Sequence, residues 1–294
     1  MPGPSPLQER LLDCTDEETT QASVQRAADV VREGRVVVLP TDTVYGVGAD
    51  AFDVVAVAMV LAAKHRGREM PPPVLVPNPR TVDGLATGVP MYARILMRQF
   101  WPGPLTLVLQ AQPSLQWDLG ETNGTVALRM PEDDVALALL AEVGPMAVTS
   151  ANVTGQPAAT TAQEAMEQLG GAVSAYLDGG ARTGGEPSTI LDCTGAEPVV
   201  LRLGALSGER LREVLGATPL HDSPAAAEAA AAAGAVTDAP ASEEAGDAPT
   251  DEEAGDEPGS ALLLGSVTAS GLTVPAEAVR LVRSPSGPQQ VPTP

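Results

Sequence analysis

The sequence predicts an α/β (α+β) domain built on a large twisted sheet and followed by an acidic tail. Three observations carry this. Apolar runs of strand length alternate with amphipathic stretches between residues 21 and 216. Aromatic residues make up only 2% against 44% hydrophobic, so the core must be aliphatic. Composition changes abruptly after Gly216: residues 217–260 hold 15 Ala, 11 acidic residues and no Lys or Arg, with Leu220 and Val236 their only large aliphatics. Such a segment buries too little apolar surface to offset its ordering entropy.

The elements follow in order. Residues 1–20 read as an N-terminal extension. Val24, Ala27, Ala28 and Val31 repeat at helical spacing, and Gly34 ends that helix. Residues 36–39 are a continuous apolar run closed by Pro40, the pattern of a strand buried on both faces. Asp53 caps a helix to about His65, with Gly67 beyond. Further strands are expected at 74–76, 105–109, 126–130, 146–149, 174–177, 189–191 and 199–201. Helices are expected at 80–87, 91–100, 133–143, 161–169 and 207–215. Thr161 with Glu164 three residues on forms a capping box for the fourth of these. Residues 217–294 are expected to be a largely disordered Ala/Pro/acidic tail. Within it, 226–233 has transient helical character, 261–283 is a short apolar docking element, and 285–294 is Pro-rich. No internal repeat is visible.

Charge excludes several functions. The chain carries 38 acidic and 17 basic residues, a net −21, and residues 1–216 still carry a net −11. A general binder of phosphate backbone is disfavoured, although a few arginines can still converge in a local pocket. Two cysteines are too few for a disulfide scaffold or, by themselves, a four-ligand zinc site, and the two histidines, His65 and His221, add no metal-ligand cluster. No apolar run reaches membrane-spanning length, and the acidic N-terminal stretch is unlike a signal peptide. A soluble, cytoplasmic protein is expected. Sixteen of the basic residues are Arg and one is Lys64. A compact ammonium bound to phosphate is one reason to retain a lone Lys, and drift is the other.

Four segments read as chemical. Pro40-Thr41-Asp42-Thr43-Val44-Tyr45-Gly46-Val47-Gly48 places hydroxyls, a carboxylate and two glycines directly after a buried strand, where open α/β sheets bind ligands. An ordinary strand-exit turn is the plainer account. Lys64 and Arg66 sit two apart at a helix end, able to converge on an anion or merely to complement the helix dipole. Thr149-Ser150-Ala151-Asn152 offers short donors after a strand, or an Asx turn. Thr125 and Arg129 share a face of one strand; Ser188 follows a Gly-rich loop, and Arg202 ends a strand. Together they propose a pocket with cations for phosphate and hydroxyls for polar recognition. No G-x-x-x-x-G-K-[ST], G-x-S-x-G or zinc-hydrolase motif occurs, so an enzyme here works by positioning and charge neutralisation.

In order, PTDTVYGVGAD, Lys64-x-Arg66, FWPGPLTLVL, TVALRMP, TSANVTG, PSTILD and VLRLG resemble the YrdC/Sua5 family of L-threonylcarbamoyladenylate synthases over about residues 22–216. The resemblance implies a YrdC-like twisted mixed sheet flanked by helices around a positively lined cavity. It implies a nucleotidyltransferase that joins L-threonine, hydrogencarbonate and ATP into threonylcarbamoyl-AMP and pyrophosphate, for N6-threonylcarbamoylation of adenosine 37 in tRNA. A downstream tRNA threonylcarbamoyl transferase complex would be the partner, with no stable nucleic-acid or membrane binding by this chain. It further implies that Lys64 and Arg66 hold the ATP phosphates with Ser150 and Asn152. Thr125 and Arg202 contact the nucleotide, and Thr43, Arg129 and Ser188 hold threonine. Mg2+ arrives with ATP and no protein metal ligand is named. A histidine that many members carry falls on Leu75 or Val76, and a family serine falls on Ala158. Other readings are a double-stranded RNA or tRNA-binding module of the same fold, or a carbamoyl-adenylating domain.

Overall fold

The computed structural model describes residue 5 and residues 7–237. The strands are β1 (Leu11–Asp13), β2 (Val37–Leu39), β3 (Gly46–Asp50), β4 (Val74–Leu75), β5 (Leu105–Gln110), β6 (Thr125–Arg129), β7 (Met146–Ser150), β8 (Ala175–Asp178), β9 (Thr189–Asp192) and β10 (Val199–Arg202). The helices are α1 (Glu17–Arg32), α2 (Val54–Ala63), α3 (Val82–Leu85), α4 (Met91–Phe100), α5 (Asp134–Val143), α6 (Ala162–Leu169), α7 (Gly208–Leu215) and α8 (Pro224–Thr237). All ten strands join one mixed sheet in the order β1-β8-β2-β3-β7-β4-β6-β5-β9-β10.

Caps set the helix starts, at Asp53 and Thr161 as the sequence implies and at Asp133 as well. Asp53 Oδ1 accepts from the amides of Val55 and Ala56, both at 2.9 Å, and Asp133 Oδ1 accepts from Ala136 at 2.9 Å. Thr161 Oγ1 takes the Glu164 amide. Glu164 returns to the amide of Thr160, one residue earlier than an ordinary capping box.

Side-chain alternation divides the sheet into two regimes. On β2, Val37 and Leu39 pack in one cluster with α1 and α5. Val36 and Val38 pack in another with α2 and α6. Both faces are covered, which is why this strand reads as an unbroken apolar run. In the other half, Leu105, Leu107 and Leu109 of β5 and Val126 and Leu128 of β6 pack against α4 and α7. The alternate residues of those strands, Thr106 and Val108 with Thr125, Ala127 and Arg129, open on a cavity.

The structure departs from the sequence reading in four places. Gly46 and Gly48 are not in a loop; they lie within β3, paired to β2 and β7, and of the two Gly46 lines the cavity. A Cβ on Gly48 would stand 2.5 Å from Val148 Cγ2 and 2.7 Å from the Ala147 carbonyl, so the space above these glycines belongs to the neighbouring strand. The helix expected at 80–87 is a 3-10 turn (Pro79–Thr81) followed by the single turn α3. The sheet reaches beyond residues 21–216 at both ends. Leu11–Asp13 pairs in parallel with β8, and His221 bridges in parallel to Val199. α8 is longer than the transient helix expected at 226–233. The expected docking element at 261–283 and the Pro-rich end lie outside the described residues. No described helix is long and apolar enough to cross a membrane.

Candidate active site

The cavity has a volume of about 670 Å3, within the range of small-molecule sites. Eight of the nine residues singled out from the sequence line it: Thr43, Arg66, Thr125, Arg129, Ser150, Asn152, Ser188 and Arg202. The ninth, Lys64, stands behind its wall.

α2 ends at Ala63, and His65 then takes a left-handed conformation with φ 51°. This reversal brings Lys64 and Arg66 to the same side despite their spacing of two. Lys64 is 2% exposed. Its Nζ donates to the Ser150 carbonyl, to the Asn152 carbonyl at 2.7 Å and to Asn152 Oδ1 at 3.2 Å. The Asn152 amide is spent in turn on the carbonyls of Val153 and Gln156. Lys64 therefore fixes the turn that presents the Ser150 hydroxyl. Burial, and then the charge of Arg66, push its ammonium down to about 8.

Arg66 donates from Nη1 to Thr149 Oγ1 at 2.8 Å, while its buried Nε has no partner. Arg202, on β10, donates to the Ser188 carbonyl from Nε at 3.2 Å and Nη2 at 2.7 Å. Ser188 Oγ shares a 2.9 Å hydrogen bond with Thr106. Burial lowers the affinity of both guanidinium groups for their protons. Neither forms an ion pair among the described residues.

Arg129 is held differently. It is 6% exposed, and each nitrogen has one partner. Nε donates to the Gly103 carbonyl at 3.0 Å, Nη1 to Thr43 Oγ1 at 3.1 Å, and Nη2 to Asp42 Oδ1. Two of its five N–H groups remain for a ligand. Leu75 lies beside it in register on β4 and lines the cavity, whereas Val76 is in the core. The position that holds a histidine in the resemblance is thus an apolar wall. Ala158 also lines the cavity. At the far end of β6, Thr125 Oγ1 donates to the Thr122 carbonyl at 2.8 Å.

Sequence reasoning left several contributors unassigned. Asp42 was visible within the PTDTVYG segment, but its partner lies 87 residues on. Thr149, which steadies Arg66, sits in the TSANVTG segment. Arg182, which pairs with Asp133 at 2.8 Å and lies over the Tyr45 ring, had no signal in the sequence. The two thiols are buried, and burial pushes Cys14 up to about 11 and Cys193 higher still, so neither is a nucleophile.

Residues 29–204 match the family Sua5_yciO_yrdC, described as telomere recombination, over more than half of the 294-residue chain. The chain belongs to the Sua5/YciO/YrdC family. Among curated members, a Mycobacterium tuberculosis protein provisionally named threonylcarbamoyl-AMP synthase is 54% identical over 204 residues, covering 69% of this chain and 94% of the relative. The threonylcarbamoyl-AMP synthase of Bacillus subtilis is 39% identical over 213 residues, covering 71% of this chain and 61% of its own length. Among solved structures, Pyrococcus abyssi Sua5 complexed with L-threonine is similar at a TM-score of 0.68 and 35% identity. That match covers 72% of this chain, which spans 62% of the archaeal protein. The ten-strand sheet with flanking helices is accordingly the family fold.

Proposed function

We propose that this protein is an L-threonylcarbamoyladenylate synthase, a nucleotidyltransferase acting on ATP, L-threonine and hydrogencarbonate. The observation that carries this reading is the convergence of Arg66 and Arg202, without ion-pair partners among the described residues, on a cavity that also presents Arg129 and has the Lys64 ammonium behind its wall. The names of the similar proteins support it.

Threonine's amine and hydrogencarbonate form a carbamate with loss of water. A carbamate oxygen then attacks the α-phosphorus, the bond to the β-phosphate oxygen breaks, and pyrophosphate leaves. The protein supplies alignment and charge, as in phosphoryl transfer generally. Arg66 and Arg202 neutralise the phosphates, with the Ser150 hydroxyl as a further donor. Lys64 adds charge from behind the wall and holds the Ser150–Asn152 turn. Thr125 is the contact at the nucleotide end. Arg129 takes the threonine carboxylate with its two remaining N–H groups, flanked by Thr43 and Ser188. Ser150 and Glu121 are among the oxygen-bearing residues of the wall and would suit a Mg2+ that arrives with ATP. When bound, that ion would offset the charge of the leaving pyrophosphate. The product serves threonylcarbamoylation of adenosine 37 in tRNA, carried out by a separate transferase complex.

The test is pyrophosphate release by the purified chain with ATP and Mg2+. Release is expected only when both L-threonine and hydrogencarbonate are present. A folded protein that releases none, or releases it equally without threonine, overturns the reading.

A further inference from the structure

The four cations of the cavity are not equivalent. Lys64, Arg66 and Arg202 rest against carbonyl and hydroxyl oxygens and have no carboxylate in ion-pair reach among the described residues. The nearby acids, Glu121 on the wall and the exposed Glu69, make no salt bridge to them. Arg129 alone is ion-paired, through Nη2 to Asp42 Oδ1.

Asp42 is placed unusually. It does not line the cavity. Oδ1 also accepts the Glu132 amide at 2.9 Å, while Oδ2 is buried without a partner. A buried carboxylate oxygen without a hydrogen bond carries a cost, and this one belongs to the negative charge that stands behind the Arg129 guanidinium. That charge makes no direct contact with the cavity and acts on it from behind Arg129. Arg129 also lies close enough to Arg202 for their charges to repel. Without Asp42, the two would form one continuous cationic surface.

We propose that Asp42 is a positioning residue that sorts the two substrates by charge. It makes the Arg129 subsite electrically neutral, so that this subsite accepts an amino-acid zwitterion and rejects phosphate. The triphosphate is thereby confined to Lys64, Arg66 and Arg202. A zwitterion of zero net charge loses little on meeting a neutral ion pair, because its ammonium offsets the repulsion between its carboxylate and Asp42. A phosphate dianion has no such compensation. The inference rests on the reading above, in which Arg129 receives the threonine carboxylate.

The experiment is inhibition of adenylate formation by inorganic phosphate in the full-length chain, followed by incorporation of labelled threonine. In the unmodified protein, phosphate is expected to compete with ATP and not with threonine. In Asp42→Asn, phosphate should become competitive with threonine, its inhibition constant falling about tenfold or more for the loss of one nearby charge. The threonine KM should rise while the ATP KM stays within about twofold. Asp42→Glu should restore the original pattern. A residue of merely structural importance would raise KM or lower kcat without making phosphate compete with threonine, and that result would overturn the proposal. If Asp42→Asn does not fold, the unmodified protein still decides, because phosphate competing there with threonine is also fatal. Arg129→Lys separates the two layers: an unchanged threonine KM in that variant would remove the carboxylate assignment itself, whatever Asp42 does.

Discussion

β2 and β6 belong to one sheet and obey different rules. Val37, Val38 and Leu39 are fully buried between helices on both faces, and every side chain of β2 serves the core. On β6 only Val126 and Leu128 do so; Thr125, Ala127 and Arg129 face the cavity. The difference teaches where this fold can carry function. Helices α1 and α5 cover one face of the sheet over its first half and leave the same face open over β6, β5 and β9. Stability is concentrated where both faces are covered, and chemistry where one is not.

Four measurements break or sharpen this contrast. Leu39→Ala, in the covered half, should cost about 2–5 kcal/mol of stability by denaturant unfolding, with kcat/KM per folded molecule unchanged. A loss below 1 kcal/mol would dissolve the distinction. Arg66→Ala, in the open half, should lower kcat/KM for ATP by about a hundredfold, as for loss of one preorganised donor. Its melting temperature should hold or rise, because Arg66 is partly buried with no direct ion pair and disfavours the Lys64 ammonium. A large drop in melting temperature would show that the open half is also structural.

The third measurement is a pH series. Lys64 is at about 8 in the free protein against about 10.4 for an unperturbed lysine. Between these values the unfolded chain binds more protons than the folded one, so this group adds stability as pH rises from about 8. Bound phosphate favours the charged ammonium, so ATP affinity should fall over the same interval. Calorimetry at pH 8.5 in buffers of different ionisation enthalpy should record proton uptake on ATP binding. Proton release, or none, would remove Lys64 from the phosphate field.

The smallest effect concerns the boundary after α7. The amide of Val200 donates to the His221 carbonyl at 2.8 Å, and the His221 amide donates to the Pro198 carbonyl at 3.1 Å. His221 also meets Glu197 at 2.6 Å. A chain ending at Gly216 should lose about 1–2 kcal/mol relative to one ending at Ser223, as two backbone hydrogen bonds of ordinary net value would predict. Deletion of 238–294 should leave turnover unchanged. Equal stability of the two truncated chains would place the boundary back at Gly216.

Much of the fold was legible because its rule is local. Residues 36–39 announce a strand covered on both faces, the spacing of Val24, Ala27, Ala28 and Val31 announces α1, and Asp53 and Thr161 announce the starts of α2 and α6. What was missed has a physical reason in each case. β1 is three residues long among acids, and its evidence is backbone pairing to a strand 165 positions away. β3 hid because its glycines, poor strand formers alone, are required by the Val148 side chain of β7. The stretch 217–222 looked like tail because composition does not reveal which backbone amides find partners. At the site, residue types were readable one segment at a time, but no spacing places Ser188 beside Thr106 or Asp42 beside Arg129. Only the ordered series of segments joined them. The burial of Lys64 behind the wall was not legible, since a lone lysine next to an arginine reads as surface charge.

The strand order also carries a consequence for synthesis. β8 inserts between β1 and β2, and β9 and β10 add beyond β5, so β1 joins the sheet, and the far edge is completed, only when late strands are made. On the ribosome, β2 and β5 each wait with an unpaired edge while more than 75 further residues emerge. Ser188 and Arg202 come with those final strands. A nascent chain shorter than about 200 residues therefore has the covered half nearly assembled while the cavity still lacks the wall that Ser188 and Arg202 supply.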